Sequence, residues 1–226
     1  MDKRIEFKLE IPYIDIHTHH PVDSEEIIAI QSLFLQDIDL ANEIDNPFST
    51  AIHPWHADKF DSPDIEVMLN KLYTQKNLIA IGETGLDKIC AVDYELQNKV
   101  FALQINYAET YQKPLIIHAV KSWNQLIPIF KHIKVPVILH GYSEGLPLTR
   151  ELIDLGCYFS LGKSILNPSP RFLEAIQVIP VSNLFMETDE SLVTIEEIYQ
   201  KMADSLNLSL ELLKIHIHNN FTVLFH

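Results

Sequence analysis

Basic residues and cysteines are scarce in this chain of 226 residues, and each shortage argues against a class of protein. There are 17 lysines and arginines against 31 aspartates and glutamates, which gives a net charge of −14. That balance argues against a broad basic surface for gripping a nucleic acid backbone, although bound metal ions would supply positive charge locally. The two cysteines, Cys90 and Cys157, are too few for a disulfide framework and suit a reducing cytosol.

Long apolar runs and glycine-rich motifs are missing as well. No run approaches the length of a membrane span, and the charged N-terminus has no apolar segment of the kind found in signal peptides. No Gly-x-Ser-x-Gly elbow is present, which disfavours a serine nucleophile. We therefore expect a soluble, cytoplasmic, single-domain protein spanning residues 1–226, with no membrane contact and no obligate protein partner.

Short apolar runs alternate with helical patterns along the chain, as is typical of a (β/α)8 TIM barrel. Strands are predicted over residues 13–19, 27–35, 47–53, 78–83, 114–118, 135–140, 157–161 and 183–187. Helices are predicted over residues 63–72, 94–111, 123–130, 148–155, 170–178, 194–206 and 209–219. No good helix separates the first two strands, so the first crossover is shortened. A doubly wound open sheet is the alternative, but no Gly-rich phosphate fingerprint follows the first strand.

The first predicted strand ends in a His-x-His pair. In an extended strand the side chains of His17 and His19 share one face, so both imidazoles point the same way. Neutral imidazole is a common ligand for divalent metals. The pair alone is weak support for a metal site, because two histidines fall at this spacing by accident.

Other ligand-type side chains occur where later strands end. They are Glu83, His118 and His140 at the ends of strands four, five and six, and Asp189 just after strand eight. The carboxyl ends of all strands in a barrel meet at one rim, so six metal ligands are expected to converge there. Six exceed the three or four that one catalytic ion takes from protein, which favours two divalent ions bridged by a carboxylate.

Each predicted ligand has an expected role. His17 and His19 hold one ion with Asp189, and His118 and His140 hold the other. Glu83 lies on a middle strand between these pairs and is the expected bridge. Asp189 also accepts a proton from the attacking water, so Glu83 and Asp189 are the predicted catalytic residues.

The chain resembles the TatD family of metal-dependent hydrolases over nearly its whole length. The matching segments run in family order: residues 15–19 (DIHTH), 52–56 (IHPWH), 81–87 (IGETGLD), 114–118 (PLIIH), 139–143 (LHGYS) and 187–189 (ETD). The resemblance implies a TIM barrel, a divalent-metal site, and deoxyribonuclease or related phosphodiesterase activity. It also places ligands at the six residues named above.

Departures from the family pattern fall in substrate-facing loops. Val120 occupies the position of an arginine that the family usually carries after the fifth-strand histidine, and Lys121 is predicted to replace that charge from a shifted position. His53 is predicted to contact a substrate phosphate. The indole of Trp55 is near the rim, where it could stack on a base. Asp87 is expected to steady the segment that carries Glu83.

The predicted function is that of a two-metal hydrolase that cleaves phosphodiester bonds, in DNA above all. The high histidine count favours zinc, whereas the resemblance suggests magnesium or manganese. One alternative is a metal-dependent amidase or lactonase acting on a small metabolite, but such enzymes commonly carry a lysine where this chain has Glu83. A second alternative is a non-catalytic metal-binding protein, which the intact ligand set disfavours.

Overall fold

Eight parallel strands lie side by side in chain order in the computed structural model, which describes residues 11–35, 46–60, 69–70, 72 and 74–225. The strands are β1 (Tyr13–Thr18), β2 (Ile27–Phe34), β3 (Phe48–Ala51), β4 (Leu78–Asp87), β5 (Leu115–Val120), β6 (Val137–Leu139), β7 (Tyr158–Leu161) and β8 (Leu184–Met186). Their interior and exterior faces are both largely buried, because helices cover the outside of the sheet. That double burial explains why the strands appear in the sequence as continuous apolar runs.

Helices follow the strands from β4 onward. They are α1 (Tyr94–Tyr111), α2 (Trp123–Phe130), α3 (Leu146–Asp154), α4 (Pro170–Ile176), α5 (Ile195–Leu206) and α6 (Leu210–Phe225), with short 3₁₀ helices at Pro54–Lys59, Lys163–Leu166 and Val181–Asn183. The helix predicted over 63–72 lies mostly outside the described residues. Within that range the structure describes Leu69, Asn70 and Leu72, and all three are helical. No helix in the described ranges is long and apolar enough to cross a membrane.

Backbone hydrogen bonds join the last strand to the first. Asp189 N donates to His17 O at 2.9 Å, and His19 N donates to Asp189 O at 3.2 Å. On the outside, the buried hydroxyl of Tyr199 from α5 donates to Ile14 O and accepts from Ile14 N, both at 3.0 Å. The predicted (β/α)8 barrel is therefore confirmed. The doubly wound alternative is wrong, because neighbouring strands follow chain order around a nearly closed barrel.

Two connections near the site bear on the sequence predictions. Residues 19–26 between β1 and β2 hold no helix, as expected for a shortened first crossover. β4 is longer than predicted, because Thr84, Gly85 and Asp87 pair with β5 beyond the expected end at Glu83. Glu83 therefore lies inside a strand. Gly85 lies in this extension of β4. It approaches the backbone of His118 so closely that a Cβ atom would not fit.

Candidate metal centre

All six predicted ligands lie at the C-terminal rim of the barrel, where the strands end. Together with His53 they form three overlapping groups in which ligand atoms lie within 4.8 Å of one another: His17, His19 and Asp189; His17, Glu83 and His140; and His53, Glu83 and His118. We call His17, His19 and Asp189 the first ligand group. We call Glu83, His118 and His140 the second ligand group, because both of these histidines approach the same oxygen of Glu83.

The first ligand group has the spacing of a ligand cage. Nε2 of His17 lies 3.6 Å from Oε2 of Glu83 and 3.7 Å from Oδ1 of Asp189. Nε2 of His19 lies 3.8 Å and 3.7 Å from the same two oxygens. These separations are too long for hydrogen bonds, and they suit atoms that converge on a shared divalent ion.

His17 supplies the observation that tests whether a metal fits. Its side chain is fully buried, and neither ring nitrogen has a hydrogen-bond partner. A buried polar atom without a partner costs free energy, so such atoms are rare unless something else satisfies them. Nε2 faces two carboxylates, and nitrogen with carboxylate oxygen is a donor set that zinc and similar ions accept. The residues present therefore fit a divalent metal.

In the second ligand group, both histidines lie close to Oε1 of Glu83. Oε1 lies 2.5 Å from Nδ1 of His118, 2.9 Å from Nε2 of His140 and 3.2 Å from Nε2 of His53. Each oxygen of this one carboxylate thus faces a different set of histidines. That arrangement is the one expected of a bridging ligand.

Glu83 is 8% exposed, and its carboxylate stays ionised. Burial raises its pKa, but the charge of His140 and hydrogen bonds from His118 and His140 hold the pKa well below its usual range. Burial lowers the pKa of His140, and the charges of Glu83 and Glu187 reverse this and raise it well above its ordinary value. The centre therefore keeps an anionic carboxylate ready to bind cations.

Asp87 holds His118 from the side away from Glu83. Its Oδ2 lies 3.2 Å from Nε2 of His118 and accepts a 2.7 Å hydrogen bond from the indole of Trp55. Its Oδ1 accepts from the backbone N–H groups of Ile89 and Cys90 at 2.9 and 3.3 Å. A carboxylate on the far nitrogen of a ligating histidine fixes the ring orientation and leaves the near nitrogen free to coordinate.

Glu187 lies beside His140. Its Oε1 lies 3.3 Å from Nδ1 of His140 and accepts a 2.6 Å hydrogen bond from the N–H of Gly141. The buried Glu187 is thus within ion-pair distance of His140, but Nδ1 of His140 has no hydrogen-bond partner, unlike Nε2 of His118 beside Asp87.

His53 begins the short 3₁₀ helix after β3 and points into the centre. Its Nδ1 accepts a hydrogen bond from the N–H of Trp55 at 3.2 Å, so the proton of the neutral ring is on Nε2. Burial lowers the pKa of His53, which keeps the ring neutral. Nε2–H lies 3.2 Å from Oε1 of Glu83, and His53, Glu83 and His118 also form one of the three groups that could hold a metal ion.

Lys121 and Val120 follow His118 at the rim. Lys121 is exposed, has a left-handed backbone (φ 51°), and makes no hydrogen bond or ion pair with another residue in the described part of the chain. It lies at the rim without contacting the predicted ligands. Its predicted role in substrate binding therefore rests on position alone.

Comparison with known proteins identifies the family of this chain. The family described as TatD related DNase matches residues 27–226. The chain belongs to this family. Among curated relatives, a metal-dependent hydrolase named TatD from Mycobacterium tuberculosis is 31% identical over 157 residues, which cover 65% of this chain and 58% of that protein. The metal-dependent hydrolase YcfH of Escherichia coli K12 is 27% identical over 85% of this chain and 79% of its own length.

Solved structures of this family share the barrel. YjjV, a TatD homologue from Escherichia coli K12, superposes with a TM-score of 0.81 at 18% identity and covers 96% of this chain and 99% of its own. A TatD family hydrolase from Entamoeba histolytica superposes with a TM-score of 0.77 at 16% identity over 95% and 98% of the two chains. At such identities the likeness shows the fold.

Proposed function

We propose that this family member is a metal-dependent phosphodiesterase that acts on DNA and uses two divalent ions, zinc, magnesium or manganese. One observation carries the proposal: Oε2 of Glu83 faces His17 and His19, while Oε1 faces His118 and His140. Two ions held by a shared carboxylate are typical of enzymes that cleave phosphate esters.

The residues around the centre have defined tasks in such a reaction. Divalent ions supply positive charge for the phosphoryl oxygens and yield a water nucleophile near neutral pH. Asp189 has a 36% exposed side chain on the open side of the first ligand group, so it can accept the proton of the attacking water. Nε2–H of His53 can donate to a phosphate oxygen, which stabilises the charge that develops there.

Two observations favour a phosphodiester substrate over an amide: the presence of Glu83 as the proposed bridging ligand, and the family to which the chain belongs. Glu83 occupies the β4 position at which barrel amidases and lactonases commonly carry a lysine. The family description names DNases. With a net charge of −14, the chain depends on bound cations to attract a polyanion, which also favours a metal-assisted reaction on phosphate.

The test is nucleotide release from end-labelled single-stranded DNA in the presence of Mg²⁺, Mn²⁺ or Zn²⁺. The wild type should release nucleotide with at least one ion. Glu83→Gln and Asp189→Asn should each lower kcat/KM by at least about 10²-fold, since each removes a charged group from the reacting centre. The matched controls are Glu174→Gln on α4 and Asp154→Asn on α3, which make the same changes at exposed carboxylates and should act like wild type.

Two outcomes would contradict the proposal. Hydrolysis of amides or lactones without any nucleotide release would assign the chain to the rival enzyme class. Equal activity in Glu83→Gln and wild type would show that the reaction does not use this centre.

A further inference from the structure

A partly exposed tryptophan lies beside the second ligand group. Trp55 belongs to the 3₁₀ helix after β3 and is 51% exposed. Its ring meets the ring of His53 edge-on at 4.6 Å and that of His118 at 6.0 Å between centroids. Because the indole N–H donates to Asp87, the ring is held in one orientation. An exposed aromatic face that is already fixed loses little conformational entropy when a ligand packs on it.

The exposed indole forms one wall of a cavity of about 390 Å³. The cavity is lined by Trp55, Asp87, Ile89, Cys90, Ala91 and Val92. Ile89 is 66% exposed, so a second apolar side chain is available to a ligand.

The cavity has little charge to offer. Among the described residues that line it, Asp87 alone is charged, and both of its oxygens already accept hydrogen bonds from Trp55, Ile89 and Cys90. These residues include no lysine or arginine, so this lining is unsuited to a phosphate group. The chemistry favours a flat, uncharged ring.

We propose that this cavity, the Trp55 pocket, binds the nucleobase next to the scissile phosphate. Asp87 lines the pocket and also contacts His118, so a ring seated there lies next to the metal centre. This proposal rests on the proposed function, because the ring is a nucleobase only if the substrate is a nucleic acid. Stacking on an aromatic face tolerates every base, so the pocket requires a base without selecting one.

The first experiment measures kcat/KM on thymidine dinucleotides from which one base, on the 5′ or the 3′ side, has been removed. The wild type should cleave one of these two isomers about tenfold or more slowly than the full dinucleotide, as expected for loss of one base stack. Trp55→Phe and Trp55→Leu both lose the N–H bond to Asp87, but only Trp55→Phe keeps an aromatic face. Trp55→Phe should retain the preference for the base, and Trp55→Leu should lose it.

The second experiment detects binding without catalysis. Cys90 lies in the pocket wall and is partly exposed, whereas Cys157 is buried and its burial raises the pKa of its thiol to about 12. Iodoacetamide should therefore alkylate Cys90 selectively in the metal-loaded protein. Thymidine should slow this alkylation in wild type and Trp55→Phe but not in Trp55→Leu, and free deoxyribose should slow it in none of them.

The results separate this proposal from the proposed function. If DNA is cleaved but base-containing and base-lacking dinucleotides react equally and thymidine leaves Cys90 unprotected, the pocket proposal is wrong and the nuclease stands. If no DNA is cleaved but thymidine protects Cys90 in the pattern above, base binding in the Trp55 pocket stands, whereas the nuclease proposal and the placement of the base beside a scissile phosphate fail.

Discussion

Glu83 is buried among histidines, three of which lie within hydrogen-bond distance of its Oε1. A buried carboxylate without such partners would take up a proton, because burial disfavours its charged form. Here the surrounding imidazoles reverse that preference and hold its pKa well below the usual range. The same histidines that stabilise the anion in the absence of metal are the ones placed to hold cations against it.

Asp87→Asn should weaken binding of the ion in the second ligand group by about 10- to 100-fold, the usual effect of removing a carboxylate behind a ligating histidine. The amide would no longer supply an anionic partner to Nε2 of His118, which the structure places 3.2 Å from Asp87. Competition with a chromophoric chelator measures the affinity. Asp154→Asn is the exposed control, and an unchanged affinity in Asp87→Asn would contradict the orienting role.

His53→Ala should lower kcat/KM by about 10²-fold or more and leave metal affinity nearly unchanged, because Nε2–H is placed as a donor to the substrate. The matched control is His56→Ala in the same 3₁₀ helix, where the ring packs 5.3 Å from that of Phe34. This variant should change neither quantity. A large loss of metal affinity in His53→Ala would show instead that His53 is a ligand.

The convergence of six ligand-type side chains at the rim could be predicted, because each lies near the end of a strand and the strand ends of a barrel meet. The link from Trp55 through Asp87 to His118 could not, since its bonds join residues 32 and 31 positions apart on three different elements. The same limit applies to Lys121. Its sequence position suggested a role for its charge, but whether it reaches the centre depends on a backbone turn that composition does not reveal.

Among the helices, α5 has a capping box at its N-terminus and makes hydrogen bonds to β1. Thr194 and Glu197 form a capping box at its first turn. One turn later, Tyr199 makes two hydrogen bonds to the backbone of Ile14 in β1, the strand that carries His17 and His19. The start of this helix therefore supports the strand that carries the first ligand group.

Thr194→Ala should lower the free energy of unfolding by about 1 kcal/mol, because the first turn loses its side-chain acceptor. Thr110→Ala makes the same change at an exposed site inside α1 and should be neutral or slightly stabilising, since alanine is the better helix former. Urea unfolding of both variants measures the difference. Equal losses in the two variants would contradict a capping role.

Most element bounds could be predicted from apolar runs, proline and glycine. The C-terminal ends of β4 and α6 were not predicted: β4 runs to Asp87 instead of residue 83, and α6 runs to Phe225 instead of residue 219. β4 continues because residues 84–87 pair with β5. In such strands the backbone of a neighbour decides where the strand ends.

For the whole molecule, metal binding should raise thermal stability. An ion at about 100 times its Kd should add about 2.7 kcal/mol, which is about 5 to 10 °C in Tm for a chain of this size. Thermal scans with and without chelator measure the shift. Glu83→Gln should lose most of it, while Glu174→Gln should keep it; an equal shift in both variants would place the stabilising ion elsewhere.

The joining of β8 to β1 has a consequence for how the protein is made. His17 and His19 emerge early from the ribosome, whereas Asp189 follows the last strand, and its backbone forms the hydrogen bonds to theirs. The first ligand group is therefore assembled only after β8 has been synthesised and has docked against β1. A nascent chain that stops before β8 carries the four predicted ligand histidines and Glu83 but not Asp189, so its first ligand group is incomplete.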